Sequence, residues 1–349
     1  MSDVTNSAGN SGTWMRCTAV TQESNDVRTF HLRAAEDGSF PEYLAGQFAT
    51  LELDIDGQHV RRCYTISSTP VDEGSPEITF TVKAKSGGQV SPWLHDNLVP
   101  GQTVRVLPPA GRFCINSIEP RKYVFVAGGV GITPLLSMAR WLVRKNAPVD
   151  LIFIQCARYA HDLLFVDELR RMTDDHQGFR LVLQPSSSEN WEGTSGRLTQ
   201  SRLLELVPDL PERHVYCCGP EGFMQHVQSL ALQSGVPATS YFEESFELGA
   251  LGLPAGSSDS PLEQVQVRFA RSGCTVESNG SQTLLEAARS AGINVPYSCE
   301  AGICGSCKVK VLSGEVDHQH QGGIEDYEIA EGWILSCCSR PLTTVDLDA

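Results

Sequence analysis

Four cysteines near the carboxyl end have the spacing of a metal-cluster site. The run Cys299-x4-Cys304-x2-Cys307 is followed, after a further 29 residues, by Cys337. Thiolates with the spacing C-x4-C-x2-C…C hold a plant-type [2Fe–2S] cluster. The sequence therefore predicts that these four cysteines ligate such a cluster.

The residues around these cysteines bear on which metal they bind. Gly302 and Gly305 stand between the ligands, where small residues permit turns that bring backbone N–H groups to the sulfurs. Zinc is the alternative, but zinc sites usually pair two short C-x2–4-C knuckles, whereas here the fourth cysteine ends the apolar run WILSC. Because Cys338 adjoins Cys337, the fourth ligand is ambiguous by one position, and we assign Cys337.

A second motif is RRCYTISS, over residues 61–68. Its core, Arg62-x-Tyr64-Thr65, resembles the flavin signature of the ferredoxin–NADP⁺ reductase superfamily. The resemblance implies that Arg62 forks onto a flavin phosphate and that Tyr64 lies against the isoalloxazine ring. It implies that Thr65 hydrogen-bonds N5, the atom that accepts hydride, and we assign Thr65 a catalytic role.

A glycine-containing loop precedes the helical stretch WLHDNL. Its sequence is Gly87-Gly88-Gln89-Val90-Ser91-Pro92, which predicts Ser91 as the N-cap and Pro92 as the first residue of the helix. Glycines let backbone N–H groups approach a pyrophosphate at a helix start. The same resemblance places Gly87, Gly88, Val90 and Ser91 on the flavin phosphates.

A third motif follows the buried apolar run YVFVA (Tyr123–Ala127). Its sequence is Gly128-Gly129-Val130-Gly131-Ile132-Thr133-Pro134, in which Thr133 is predicted to cap the next helix and Pro134 to start it. Strand, glycine turn and helix start are typical of a dinucleotide phosphate site. The last glycine of the Rossmann pattern G-x-G-x-x-G is absent, and the stretch instead resembles the pyridine-nucleotide loop of the same superfamily.

Two further stretches complete the resemblance. Cys218-Gly219-Pro220 follows another strand-like run, and the resemblance implies that these residues lie beside the nicotinamide ring, with Cys218 in a catalytic role. The segment YFEESF (Tyr241–Phe246) resembles the place where related reductases close over the flavin. The candidate residues of this segment are Glu243, Glu244 and Phe246.

The elements that position these motifs change character along the chain. Short alternating runs with turn signals between them, such as Phe48–Ile55 and Ile78–Ala84, predict an antiparallel β-barrel for the flavin part. From Tyr123 onward, buried runs alternate with helical stretches, which predicts an α/β domain with a parallel sheet. The cysteine cluster lies in a final α+β part, in which Leu284–Ala291 is a predicted helix. We expect this part to have a β-grasp ferredoxin fold.

We therefore predict a multidomain chain. The predicted parts are a disordered N-terminus (1–12), an FAD-binding β-barrel (13–117), an NAD(P)-binding domain (118–246), a linker rich in Gly, Ser and Pro (247–262) and a [2Fe–2S] domain (263–349).

Composition excludes several classes of protein. The 349 residues carry a formal net charge of −15, which disfavours binding to nucleic acid or to anionic lipid. The polar N-terminus has no signal-peptide pattern, and no stretch reaches the ~18 apolar residues of a membrane span. We expect a cytoplasmic protein whose twelve cysteines are thiols or metal ligands.

The order of the three parts resembles the reductase components of two-component Rieske oxygenases, especially the glycine betaine monooxygenase and related quaternary-amine demethylase group. The resemblance implies that electrons pass from NADH through FAD and [2Fe–2S] to a redox partner, an oxygenase component. It favours NADH over NADPH and FAD over FMN. The alternatives are an NADH oxidoreductase for a hybrid-cluster protein and, in a different class, a zinc-binding protein without redox activity.

Overall fold

The computed structural model describes residues 12–36, 38–71, 76–119, 121–246, 264–278, 280–297, 299–300, 302–320 and 322–349. Apart from Gly12, the predicted disordered N-terminus lies outside the described residues, and the predicted linker over 247–262 lies wholly outside them.

The N-terminal domain is a six-stranded antiparallel sheet with one helix. Its elements are β1 (Thr13–Ser24), β2 (Val27–Ala34), β3 (Phe48–Ile55), β4 (Gln58–Thr65), β5 (Glu77–Lys83), α1 (Val90–Asn97) and β6 (Thr103–Val106). The strand order is β4-β3-β6-β1-β2-β5, and a bridge between Ile66 and Phe80 brings its two edges together. Alternate side chains of β5, among them Ile78 and Val82, point into a closed apolar core. The predicted antiparallel barrel is confirmed.

The central domain is a parallel sheet covered by helices on both faces. Its elements are β7 (Lys122–Gly128), α2 (Ile132–Arg144), β8 (Asp150–Ala157), α3 (Val166–Asp175), β9 (Phe179–Pro185), α4 (Gln200–Leu206), β10 (His214–Cys218), α5 (Glu221–Gln233) and β11 (Tyr241–Glu244). The strand order is β11-β10-β7-β8-β9, all parallel. In β7, Phe125 packs into the core under α2, whereas Val124 and Val126 pack into the core under α5. Burial on both faces explains the continuous apolar run in the sequence.

The C-terminal domain is a mixed five-stranded sheet packed against a helix. Its elements are β12 (Val265–Phe269), β13 (Cys274–Ser278), α6 (Leu284–Ser290), β14 (Lys308–Ser313), β15 (Val316–His318), α7 (Asp326–Ala330), β16 (Trp333–Leu335), β17 (Ser339–Pro341) and β18 (Val345–Leu347). The sheet order is β13-β12-β18-β14-β16, and β15 pairs with β17. A reciprocal pair of hydrogen bonds between Thr283 and Glu286 caps α6. This is the predicted α+β ferredoxin-like part.

The three domains are joined in two different ways. The N-terminal and central domains share one apolar core, in which Phe113 and Ile115 pack with residues of β7 and α2, and the Phe113 and Tyr216 rings lie 5.4 Å apart. The apolar core of the C-terminal domain contains only residues 267–349. That domain contacts the N-terminal domain through charged side chains of Arg61 and Arg112. The first two domains thus form one packed unit, with the third attached by polar contacts.

Candidate functional site

The two nucleotide motifs lie side by side because their strands are neighbours. β7 and β10 pair in parallel, with Cys218 opposite Ala127, so both glycine turns leave the same edge of the sheet. A Cβ on Gly131 would stand 2.3 Å from the carbonyl oxygen of Cys218, and one on Gly219 would stand 3.1 Å from the Cα of Gly128. The turns therefore pack backbone against backbone, which requires glycine at these positions.

The first residues of the two predicted helices differ from the sequence prediction. Thr133 does not cap α2: the helix begins at Ile132 after a 3₁₀ turn over Gly129–Gly131, and the Thr133 hydroxyl donates to the carbonyl of Val130 at 3.1 Å. Pro134 is accordingly the third residue of the helix rather than the first. The predicted capping role of Thr133 was wrong because the glycine turn itself continues into the helix.

Ser91 was also wrongly predicted as an N-cap. α1 begins at Val90, two residues before the predicted first residue Pro92, and Ser91 Oγ instead accepts a hydrogen bond from the N–H of Lys85 at 3.0 Å. This bond closes the loop that carries Gly87, which has φ = +71°, and Gly88. The loop geometry is consistent with a phosphate-binding turn, and its role stays a prediction.

A cleft of about 600 Å³ opens at the carboxyl edge of the parallel sheet. Its lining includes Gly128, Gly129 and Pro220 from the two glycine turns. It also includes Arg158, which directly follows β8, and Arg197, which lies between β9 and α4. Neither arginine takes part in an ion pair within the described ranges. The lining also contains Asp162 and the paired Asp26 and Lys83. The cleft therefore combines close backbone approach with two arginines, which suits the phosphates of a dinucleotide.

The flavin motif occupies β4, where Thr65 is buried and 5% exposed. The Thr65 hydroxyl oxygen has no hydrogen-bond partner among the residues that the structure describes. An unsatisfied buried hydroxyl costs roughly 1–3 kcal/mol, so a bound group that completes this hydrogen bond is expected. Tyr64 is half-buried, and burial raises the pKa of its hydroxyl. Arg62 is half-buried on the same strand, with Nη1 donating to the carbonyl of Arg61 at 2.7 Å.

The chain just beyond β4 is fixed to the nucleotide half of the site. Ser137 of α2 donates its hydroxyl to the carbonyl of Ser68 at 2.6 Å. Arg140, one turn later, donates to the carbonyl of Ser67 at 2.5 Å while also pairing with Glu168. The helix that starts at the third motif therefore also positions the second motif, and the two predicted halves form one site.

Cys218 lies next to a buried carboxyl group. Glu244 stands opposite Cys218 in the pairing of β11 with β10, and its Oε2 is buried without a hydrogen-bond partner in the described part of the chain. Burial raises the pKa of Glu244 from 4.5 to about 8. Burial, followed by the Glu244 charge, raises the pKa of the Cys218 thiol. Burial therefore favours the protonated, uncharged form of both groups. Phe246, predicted to cover the flavin, is 40% exposed.

Replacing Glu244 by glutamine is expected to flatten the dependence of stability on pH. Because the folded-state pKa is raised, the stabilising effect of the proton is complete below pH 4.5 and is lost as pH rises toward about 8. The melting temperature of the unchanged protein should therefore fall, relative to Glu244→Gln, between pH 5 and pH 9. Thermal unfolding across this range measures it, with the neighbouring exposed Glu243→Gln as control. Parallel curves for all three proteins would show that Glu244 keeps an ordinary pKa.

The cysteine loop directs backbone N–H groups at the predicted ligand sulfurs. The N–H groups of Ile303 and Cys304 donate to Cys299 Sγ at 3.4 and 3.3 Å. The N–H of Gly302 donates to Cys337 Sγ at 3.3 Å. Gly302 has φ = +70°, a conformation that favours glycine. Amide donors of this kind stabilise anionic sulfur, so the residues present fit an iron–sulfur cluster.

The four predicted ligands come together as two pairs. A hydrogen bond with Cys299 lowers the pKa of Cys304, and a hydrogen bond with Cys337 raises the pKa of Cys307. Each iron of a [2Fe–2S] cluster takes two thiolates, because two bridging sulfides complete its tetrahedron. In the described residues, no group of three or more His, Cys, Asp or Glu side chains converges on one metal-ion position. The Cys338 thiol also contacts Cys337, but it donates to the carbonyl of Leu335 at 3.5 Å.

Sequence reasoning missed the arginines that contact or line the site. Arg140 and Arg197 were not predicted as site residues, because their positions depend on strands and helices distant in sequence. The position of Arg61, next to the flavin motif, was a possible signal, but its contacts with residues 297 and 300 were not readable from the chain.

Three family models match successive parts of the chain. An oxidoreductase FAD-binding domain matches residues 15–115, an oxidoreductase NAD-binding domain matches 125–229, and a 2Fe-2S iron-sulfur cluster binding domain matches 267–342. The matches follow the order in which the three predicted sites occur. The cluster match removes support for the zinc alternative.

Several relatives match nearly the whole chain. The glycine betaine monooxygenase reductase subunit of Pseudomonas aeruginosa is 41% identical over 349 residues, covering 96% of this chain and 94% of that protein. The NADH oxidoreductase HCR of Escherichia coli is 34% identical over 323 residues, covering 92% of this chain and 93% of that protein.

Solved structures show the same arrangement. Phthalate dioxygenase reductase matches with a TM-score of 0.62 and 27% identity, covering 97% of this chain and 98% of that one. An intact type IV self-sufficient cytochrome P450 monooxygenase matches with a TM-score of 0.74 and 28% identity. This chain is covered to 97% in that match but spans only 41% of the longer protein.

Among the described residues, every helix is too short or too polar to cross a membrane. The domain matches and the similarity along the whole chain agree with the site geometry. The chain belongs to the family of NAD(H)-dependent oxidoreductases with FAD-binding and [2Fe–2S] domains that includes the glycine betaine monooxygenase reductase subunits.

Proposed function

We propose that this chain is the reductase component of a Rieske-type monooxygenase of the quaternary-amine demethylase type, and that it takes its electrons from NADH. The observation that carries the proposal is the 41% identity over 96% of the chain to a glycine betaine monooxygenase reductase subunit. Similarity confined to one domain would support only the binding of one cofactor. Here it extends over all three sites, including the domain that must meet the acceptor.

In this proposal the residues of β4 hold the flavin. Arg62 binds its phosphate, Tyr64 packs against the ring, and the unpartnered hydroxyl of Thr65 donates to or accepts from the ring edge. The loop with Gly87, Gly88, Val90 and Ser91 binds the remaining phosphate groups. When bound, FAD accepts two electrons as hydride and passes them on singly, which an iron–sulfur cluster requires.

The glycine turns hold the nucleotide against that ring. Gly128, Gly129 and Gly131 bring backbone N–H groups to the pyrophosphate at the start of α2, which also contains Thr133 and Pro134. Cys218, Gly219 and Pro220 border the nicotinamide, and the buried Cys218 and Glu244 keep water from the reacting face. Glu244 keeps its proton at neutral pH and adds no charge there. Cys299, Cys304, Cys307 and Cys337 ligate the cluster.

Other parts of the proposal remain predictions. They are the boundaries 13–117, 118–246 and 263–349, the preference for FAD over FMN and for NADH over NADPH, and a cytoplasmic location. The relative HCR is named an NADH oxidoreductase, which supports NADH as the electron donor. Arg158, which lines the cleft, favours a 2′-phosphate, whereas the carboxylate of Asp162 disfavours one.

Reconstitution with a purified quaternary-amine oxygenase component tests the function. We expect NADH oxidation to be coupled to consumption of glycine betaine and oxygen, with NADPH giving a lower kcat/KM than NADH. A hybrid-cluster protein is the second acceptor to assay, because similarity to HCR supports that alternative. Reduction of the hybrid-cluster protein, but not of the oxygenase, would reject the proposal.

A further inference from the structure

We propose that the electron acceptor docks on the same face of the C-terminal domain that here binds the N-terminal domain, so that the two contacts exclude one another. We call this the cluster face and define it by Tyr297, Glu300, Glu325, Glu328 and Cys304. The inference rests on the proposed function only in requiring a protein acceptor. The occupant to which it commits is a redox protein with basic side chains.

The first contact on this face surrounds Tyr297. The guanidinium of Arg61, from β4, lies 4.3 Å from the centroid of the Tyr297 ring, and its Nη1 lies 3.6 Å from Glu300 Oε1. Arg289 of the C-terminal domain also lies over this ring, at 3.9 Å, and donates to Glu300 at 2.8 Å. The aromatic ring and the carboxylate thus form a receptor for a guanidinium.

The second contact lies at α7. Arg112 of the N-terminal domain pairs with Glu325 and, at 3.5 Å, with Glu328. Glu328 is also paired with Lys308 of its own domain, whereas Glu325 forms no second ion pair within the described residues. The cluster face therefore carries two separate sites that each take an arginine from another domain.

The cluster face also contains the most accessible predicted ligand of the cluster. Cys299, Cys307 and Cys337 are only 8%, 2% and 5% exposed, whereas Cys304 is partly exposed. Cys304 lies four residues after Glu300, whose carboxylate contacts Arg61 of β4. An acceptor that approaches the cluster from outside would therefore approach along the edge that the N-terminal domain covers.

The nature of this interface indicates that it can open. The N-terminal and central domains share an apolar core, but the core of the C-terminal domain is its own. Small polar interfaces between domains permit relative motion, and ion pairs at such surfaces weaken as salt screens them. The domain can therefore leave Arg61 and Arg112 without exposing a large apolar surface.

Charge indicates what replaces those arginines. Residues 263–349 contain twelve acidic residues and six basic ones. A basic acceptor would find on the cluster face the same carboxylates that bind Arg61 and Arg112. If the acceptor docked elsewhere, the cluster face would stay in contact with the N-terminal domain. Electrons would then have to leave the cluster past the buried ligands Cys299, Cys307 and Cys337.

Cytochrome c, a basic one-electron acceptor, is the probe for the test. Each NADH becomes NAD⁺ and H⁺ while two ferricytochromes c each gain one electron. The full-length holoprotein is compared with Arg112→Glu, Glu325→Arg and the charge-swapped double variant Arg112→Glu/Glu325→Arg. Small-angle scattering measures docking of the C-terminal domain independently of turnover, and ferricyanide reduction by the flavin checks that each variant is folded.

We expect the radius of gyration to rise with salt in the unchanged protein, and both single variants to be expanded at low salt. The double variant should be compact again, yet its KM for cytochrome c should stay about threefold to tenfold higher, because Glu325 no longer attracts the acceptor. Glu325→Gln, which keeps a side-chain acceptor at the start of α7, should show the same rise in KM if Glu325→Arg fails to fold. A compact double variant with an unchanged KM would place the acceptor on another face. If the unchanged protein reduced ferricyanide but never cytochrome c or an oxygenase, the proposed function itself would fail.

Discussion

Replacing Cys337 by alanine should give a protein that retains its flavin but has lost the iron–sulfur cluster. Cys337, a predicted ligand, pairs with Cys307 and accepts the N–H of Gly302, so its removal would take one of two thiolates from one iron. Iron content should fall close to zero, and cytochrome c reduction should fall by about 100-fold or more, because one-electron transfer to proteins depends on the cluster. Ferricyanide reduction directly from the flavin should remain within about twofold.

Cys338→Ala is the matched control for this experiment. The two cysteines are neighbours and both are 5% exposed, but Cys337 accepts the N–H of Gly302, whereas the Cys338 thiol donates to the carbonyl of Leu335. We expect this variant to keep its iron and its absorption spectrum. Retention of the cluster in Cys337→Ala and its loss in Cys338→Ala would move the fourth ligand by one position.

Replacing Gly131 by alanine should block use of NADH while leaving the flavin in place. The new Cβ would stand 2.3 Å from the carbonyl oxygen of Cys218 and 2.5 Å from the nitrogen of Gly219. These are backbone atoms of the neighbouring turn, so the two nucleotide loops must separate. A misplacement of about 1 Å can lower a rate by about 100-fold, and we expect at least this loss in the rate of flavin reduction by NADH.

Anaerobic stopped-flow absorbance measures that rate directly. Gly38→Ala is the control, because a Cβ at Gly38 meets nothing within 4 Å. Thermal unfolding of each variant separates a local effect from general loss of structure. A normal rate in a folded Gly131→Ala variant would show that contact between the two turns is unnecessary for binding the nucleotide.

The fold and the chemistry of the site were largely readable from sequence because they depend on local patterns. The alternation of Ile78, Phe80 and Val82 and the continuous apolar run of β7 each reflect what a strand buries. The cysteine spacing is similarly local, since three of the four predicted ligands belong to one loop. These predictions needed no knowledge of distant contacts.

The details that failed depend on competition between local and tertiary preferences. Ser91 has the chemistry of an N-cap, but its hydroxyl is taken by the N–H of Lys85 across the loop. The buried state of Glu244 could not be read from YFEESF, in which adjacent glutamates look alike. It follows from the pairing of β11 with β10, which places Glu244 inside and leaves Glu243 exposed. The contact between Arg112 and Glu325 joins residues 213 positions apart, which no single-sequence pattern encodes.

The unequal joining of the domains has a consequence for how such chains diversify. Because Phe113 and Tyr216 belong to one core, the barrel and the parallel sheet must be inherited together. The cluster-bearing part has a self-sufficient interior and meets its neighbour through a few exchangeable charges. Recombination or protein engineering can thus attach a different electron-transfer domain to unchanged N-terminal and central domains. Only the arginines and glutamates at the domain interface would have to change.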